Sequence, residues 1–138
     1  MSHPTHVVRF RVRYSDTDQM MTYYNARVLE WFEVGRNELI RSLGMPYRLW
    51  EEQGVRLPVC EAHVEFDGPA QYDDLLQLTT SISMPSRARV RFDCRIVLDE
   101  TDRPVCHGYT VHAVVDTTGR PLRPPQWMTE LVNRPIEE

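Results

Sequence analysis

Between positions 25 and 43 the apolar residues recur at helical period. Val28, Phe32, Gly35, Leu39 and Leu43 fall at spacings of four, three, four and four, with Leu29 and Ile40 alongside. This stripe predicts one long amphipathic helix over about 25–43. Arg27, Glu30, Asn37 and Arg41 lie on its other side and are expected to meet water. Gly44 and Pro46 stop it, because Gly accepts the left-handed conformation past a last turn and Pro cannot continue a helix. Most of the remaining chain reads at period two. Val8, Phe10, Val12 and Tyr14 alternate with Arg9, Arg11 and Arg13, predicting a half-buried strand over 6–14 with a cationic outer face. Further strands are predicted over 59–66, 75–84, 88–98 and 105–115, broken by Asp67-Gly68-Pro69, Pro85-Ser86, the polar hairpin loop 99–103, and Asp116 to Gly119. One or two helical turns fit 46–53, an extended segment fits 120–125, and a short helix fits 126–132.

Strands joined by short turns must run antiparallel. A lone amphipathic helix has to bury its stripe, and the sheet face is the large apolar surface available. The expected class is α+β: one long central helix against a curved five-stranded antiparallel sheet, in a single domain over 1–138. Gly35 inside the helix costs about 1 kcal/mol against Ala, which is understandable where helix and sheet backbones approach closely.

With 138 residues, 41% hydrophobic and 26% charged, the chain suits one ordinary globular domain. A net charge of -4 argues against general nucleic-acid binding, which needs a basic surface. No apolar run approaches the roughly 20 residues of a membrane helix, and the first residues lack the pattern of a secretory signal. A soluble cytoplasmic protein without membrane partners is therefore expected. Cys60, Cys94 and Cys106 lie in strand-like runs and read as reduced core cysteines. Cys60 and His63 are three apart, but no second pair completes a zinc set, so no metal is expected.

The stretch Tyr14-x-Asp16-Thr17-Asp18, then Tyr24-Asn25, then Glu33-x-x-Arg36-x-Glu38, resembles the signature of hotdog-fold acyl-CoA thioesterases of the 4-hydroxybenzoyl-CoA thioesterase type. The segment His63-Val-Glu65-Phe-Asp-Gly-Pro69-Ala70, followed by Asp73-Asp74-Leu75-Leu76, is similar to the second strand and turn of that family. The resemblance covers roughly 6–132 and implies a hotdog fold and hydrolysis of an acyl-CoA substrate without a separate cofactor. It also implies homodimers joined edge to edge, often doubled into homotetramers, with the site between subunits. It makes Asp18 the catalytic carboxylate. Where the family usually carries Gly, three residues after that acid, this chain has Met21, preceded by Met20. Two methionines there would narrow the pocket, make it more apolar, or obstruct it. Asn25 stands where the family commonly has Asn and one branch has His, so this chain lacks that His; Tyr14 matches a Tyr of that same branch. Ser86, Arg87 and Arg89 fall where relatives contact pantetheine or the nucleotide.

The residues themselves leave alternatives open. Asp16 and Asp18 are natural helix or turn caps, while an exposed carboxylate can also serve as base or nucleophile toward a thioester. Backbone amides around Tyr24 to Ala26, at a helix N-terminus, would polarise the carbonyl. Asn25 can cap the helix or orient water. Tyr14 can pack in the core or orient Asp18. Met21 and Tyr24 are candidate pocket residues, with Met20, Tyr23, Trp31 and Tyr47 nearby. Glu33 and Arg36 can pair within a turn, or Glu33 can lie at a subunit interface. Arg89, Arg91 and Arg95 can equally be the wet face of a strand. No role is assigned to His63, His107 or His112. Other readings compete with the acyl-CoA thioesterase: a non-catalytic hotdog protein that binds acyl-CoA or only oligomerises, and a thioesterase acting on acyl carrier protein; a hotdog hydratase, which pairs Asp with His on one loop, is disfavoured because the loop 16–25 contains no His.

Overall fold

The computed structural model describes residues 3–134. In chain order it has β1 (Thr5–Arg11), a 3-10 turn (Tyr14–Asp16), α1 (Arg27–Ser42), α2 (Tyr47–Glu52), β2 (Val59–Phe66), β3 (Leu75–Ser86), β4 (Arg89–Leu98), β5 (Pro104–Ala113) and α3 (Gln126–Val132). The five strands form one antiparallel sheet in the order β1-β3-β4-β5-β2. The β3–β4 and β4–β5 pairs are hairpins, whereas β1 and β2 lie on opposite edges.

The predicted stripe holds α1 to the inner face of the sheet. Val28, Phe32, Gly35 and Leu39 are buried, as are the inward-facing Leu76, Leu78, Ile82, Val90, Phe92, Cys94 and Ile96. Burying side chains of this size stabilises the fold by about 1.5–3 kcal/mol each before ordering costs. Gly35 sits where the backbones come closest: a Cβ there would collide with the Thr80 hydroxyl and stand 2.9 Å from Leu78 Cδ2. Trp31 bridges the other flank, with its ring 5.3 Å from Phe10 and 5.5 Å from Tyr23. A second cluster, around Trp50, Ile40, Val55, Met128 and Val132, seats α2 and α3 against the far half of the sheet.

Several expectations need correction. The first strand stops at Arg11 rather than reaching 14, because Val12 leaves β1 to bond Asp73 and Asp74. Tyr14 then belongs to the 3-10 turn and is 78% exposed, not the end of an inward face. Leu29 departs from the buried stripe and is exposed. Glu33 and Arg36 form no ion pair; Arg36 instead lies over the Phe92 ring at 6.0 Å. Cys94 and Cys106 are buried, but Cys60 is exposed on β2, so it is no core residue.

β2 is the unusual strand. It pairs on one side only and is exposed along nearly all its length, including Val59 and Phe66. Its outer face is tied to β5 by polar contacts. His107 Nδ1 lies 2.7 Å from Asp67 Oδ2, and His107 Nε2 lies 3.1 Å from Glu65 Oε2. The Asp67 hydrogen bond and carboxylate charge raise the pKa of His107 above its ordinary value.

Candidate active site

The chain from 12 to 26 is folded as a small hairpin that presents Asp18. Asp16 is fully buried and accepts hydrogen bonds from Arg13: the backbone N–H at 2.8 Å and the guanidinium Nη2 at 3.1 Å. Its carbonyl accepts the Tyr24 N–H at 2.6 Å. Asp16 is therefore the structural acid of the pair, consuming its charge inside the loop. Thr17 bridges Tyr23, and the Asp18 N–H donates to the Thr22 carbonyl at 3.0 Å. The hairpin is fastened to the sheet at Ala70, whose carbonyl accepts from the Tyr23 N–H and the Thr22 hydroxyl. The buried Tyr23 hydroxyl donates to the Val105 carbonyl at 3.1 Å. Burial pushes the Tyr23 phenol up to about 12, so it stays protonated in this role.

At the tip, Asp18 is exposed. Its Oδ1 accepts the Met20 N–H at 2.8 Å and its carbonyl accepts the Met21 N–H at 2.9 Å. The capping reading is thus correct for one oxygen. Oδ2 has no hydrogen-bond partner among the described residues, so the carboxylate keeps lone pairs for another molecule. Met21 has a φ of 61°, the left-handed conformation that glycine adopts without steric penalty. The backbone geometry expected of Gly is kept with a Met side chain, and Met20 and Met21 both point to solvent, 81% and 75% exposed.

Asp18 shares a cleft of about 340 Å³ with Tyr14, Thr17, Met21, Gln71 and Tyr72. Tyr14 and Tyr72 meet edge to face, their centroids 5.7 Å apart. Gln71 and Tyr72 are absent from the sequence reading. Their signal was the turn Asp73-Asp74: Asp73 has a φ of 71°, and the Asp74 carboxylate accepts the Gln71 N–H at 2.8 Å, curling the segment toward Asp18.

At the start of α1 the expectation is met in part. Ala26 is the N-cap and no side chain caps the helix, so Asn25 does not cap through its carboxamide; its carbonyl accepts the Val28 N–H at 3.2 Å. The Tyr24 amide is spent on Asp16. The amides of Asn25 and Ala26 have no acceptor among the described residues and lie at the positive end of the helix dipole. Tyr24 and Asn25 are exposed beside this terminus. Ser86 ends β3 and Arg87 follows it, at the opposite end of the sheet, and both line another cleft; Arg89 begins β4 and does not line it. Separation along the 12 residues of β3 is roughly 35 Å.

The two buried thiols are poorly suited to act as nucleophiles. Burial pushes the Cys94 and Cys106 thiols up to about 12. Both His112 nitrogens are engaged, by the Leu57 carbonyl and the Thr110 hydroxyl, and burial lowers its pKa. Among the described residues no cluster of His, Cys, Asp and Glu is placed to hold a metal, and no helix is long and apolar enough to cross a membrane.

Comparison with known proteins places this geometry in a family. Over 71 residues the chain is 41% identical to Bacillus subtilis YneP, covering 51% of each protein. Over 88 residues it is 35% identical to the Haemophilus influenzae acyl-CoA thioesterase YbgC, covering 63% of this chain and 65% of YbgC. The matched stretches thus span half to two thirds of these relatives. The fold superposes on the 1,4-dihydroxy-2-naphthoyl-CoA thioesterase Slr0204 of Synechocystis with a TM-score of 0.86 at 20% identity, covering 94% of this chain and 96% of that one. The model of the thioesterase-like superfamily matches residues 12–132. With the helix-on-sheet architecture and the Asp18 hairpin, this establishes the chain as a hotdog-fold member of the thioesterase-like superfamily.

Proposed function

We propose that the protein hydrolyses an acyl-CoA thioester, adding water across the acyl–sulfur bond to release a free carboxylic acid and CoA thiol. The observation that carries this reading is the Asp18 carboxylate: exposed, with an unpartnered Oδ2 in an open cleft, in a member of the thioesterase-like superfamily. Asp18 either takes a proton from the attacking water or attacks the carbonyl itself to give a mixed anhydride that water then opens. The free Asn25 and Ala26 amides supply donors for the developing oxyanion, aided by the dipole of α1. No cofactor is needed for either route.

The functional unit in this reading is a homodimer. β2 offers an unpaired edge and two exposed faces, the condition in which a strand pairs with a second copy. A two-fold axis beside β2 makes that pairing antiparallel. It therefore turns the partner's β3–β4 turn toward the end of the sheet that holds Asp18. Doubling of such dimers gives the tetramer expected from the sequence. A cytoplasmic setting agrees with the two buried free thiols.

The competing reading, a non-catalytic acyl-CoA binder, drew on Met21 in place of Gly. The left-handed backbone at Met21 and its outward side chain leave the Asp18 cleft open, which favours the enzyme. The test is thiol release from short, long and aromatic acyl-CoAs by wild type, Asp18→Asn and Asp18→Ala. Hydrolysis by wild type that falls at least ~100-fold in both folded variants is expected. Release that survives both substitutions would discard Asp18 as its source, and a folded wild type inert toward every thioester would leave the binder.

A further inference from the structure

Gln71 and Tyr72 line the Asp18 cleft yet take no part in the chemistry assigned to it. They form the middle of a segment fastened to the Asp18 hairpin at both ends. At one end the Ala70 carbonyl accepts the Tyr23 N–H at 2.9 Å, and the Ala70 N–H donates to the Thr22 hydroxyl at 3.1 Å. At the other end the Asp73 N–H donates to the Val12 carbonyl at 2.8 Å, and the Val12 N–H donates to the Asp74 carbonyl at 3.0 Å. Within the turn, both main-chain groups of Gln71 are spent on Asp74. Its N–H donates to the carboxylate at 2.8 Å, and its carbonyl accepts the Asp74 N–H at 3.1 Å. The side chain is what Gln71 has left for the cleft, and its carboxamide makes no hydrogen bond among the described residues. A side chain carried on so fixed a backbone has little conformational freedom left to lose when it binds something.

The other polar side chains of the cleft are largely accounted for. Thr17 Oγ1 donates to the Tyr14 carbonyl at 2.7 Å, and Asp18 Oδ1 accepts the Met20 N–H. Asp18 Oδ2, the Gln71 carboxamide and the hydroxyls of Tyr14 and Tyr72 are left without a partner among the described residues. The Tyr14 and Tyr72 rings, packed edge to face, form an aromatic wall beside them. Asn25, the sequence candidate for orienting water, does not line this cleft. Asp18 and Gln71 share the cleft without bonding each other, which leaves room for a small molecule between them. Resting on the thioesterase reading, we propose that Gln71 is a water-positioning residue. Its side-chain carbonyl accepts one hydrogen of the attacking water, and Asp18 Oδ2 accepts the other. Asp18 takes that second proton as the water oxygen bonds the acyl carbon. The carbon–sulfur bond then breaks, and the departing thiolate receives the proton from Asp18. A carboxamide suits this work because it is neutral and orients the water without competing for its proton. Water held at Oδ2 also stands between that oxygen and the thioester, so Asp18 acts as base rather than nucleophile.

The test is steady-state hydrolysis of the best-cleaved acyl-CoA of the panel by wild type, Gln71→Leu, Gln71→Glu, Asp18→Ala and Asp18→Ala/Gln71→Leu. Leu keeps the volume and removes the hydrogen bond. Loss of that bond lowers kcat about tenfold, with KM within about twofold of wild type. Gln71→Glu keeps an acceptor oxygen at the same reach and recovers part of kcat. In the Asp18→Ala background Gln71→Leu costs nothing further, because the water it positions has lost its base. The urea midpoint of Gln71→Leu matches wild type, since the turn is held by main-chain groups of Gln71. A wild-type kcat in Gln71→Leu, a rise confined to KM, or the same loss with and without Asp18 overturns the role of Gln71 and leaves the hydrolase standing. A loss of kcat with a lowered midpoint and no recovery in Gln71→Glu marks a structural residue and overturns it equally. A folded wild type inert toward every thioester overturns the thioesterase reading, and the role of Gln71 with it.

Discussion

The two acids of one short motif have been given opposite work by their neighbours. Asp16 is buried and saturated by Arg13, while Asp18, two residues on, holds only the Met20 amide and keeps an oxygen free. Spacing alone could not separate them, because both residue types and both positions suit a turn. Met21 is the converse case. The sequence marked it as a departure, yet its backbone is where a glycine would be, at a φ of 61°. A left-handed Met carries roughly 1–2 kcal/mol of steric strain, and a Gly there returns about 0.4–1 kcal/mol as extra freedom of the unfolded chain. Met21→Gly is therefore expected to stabilise the protein by about 0.5 kcal/mol, and Met21→Ile, branched at Cβ, to destabilise it by about 1 kcal/mol. Urea midpoints at a fixed protein concentration check both signs. A Gly variant less stable than wild type would mean that the exposed Met side chain is bound to something.

At the scale of elements, helical and strand periods located every long element, because each has one face to bury. What they placed badly were segments held by specific polar contacts. Tyr14 continues the alternation of β1 in sequence, but Arg13 and Asp16 close a 3-10 turn that rotates it into solvent. Gln71 and Tyr72 carry no periodic signal, and only the Asp74 side-chain bond brings them to the Asp18 cleft. Gly35 was legible, and its energetics can be tested. Ala in its place gains about 1 kcal/mol of helix propensity but drives a Cβ into Thr80 and Leu78, and such overpacking costs about 1–3 kcal/mol. Gly35→Ala should lose up to about 2 kcal/mol net. The loss should shrink in a Thr80→Ala background, where the nearest obstructing atom is gone. Additive losses in that double-mutant cycle would show that the helix shifts away from the sheet instead of pressing on Thr80.

For the whole molecule, the decisive fact is that the two halves of the proposed site stand at opposite ends of one sheet. Asp18 belongs to the end where β3 begins, and the coenzyme-binding candidates Ser86 and Arg87 to the end where β3 stops, roughly 35 Å along the strand. Sequence could supply both halves but not their separation, which follows from β3 running the length of the sheet. The β2 edge, exposed along nearly its whole length, offers a symmetric solution. Antiparallel pairing with a second copy would bring the Asp18 end of one chain to the same side as Ser86 and Arg87 of the other. This makes a prediction that no one-chain site can mimic. Asp18→Ala subunits and Arg87→Ala/Arg89→Ala subunits, each nearly inactive alone at low substrate, are unfolded together, refolded as an equal mixture and assayed. Random pairing makes half the dimers mixed, and each mixed dimer holds one doubly defective site and one intact site, so about one quarter of wild-type activity returns. A site contained within one chain has no intact copy in any dimer of that mixture, and the activity stays at the level of the separate variants.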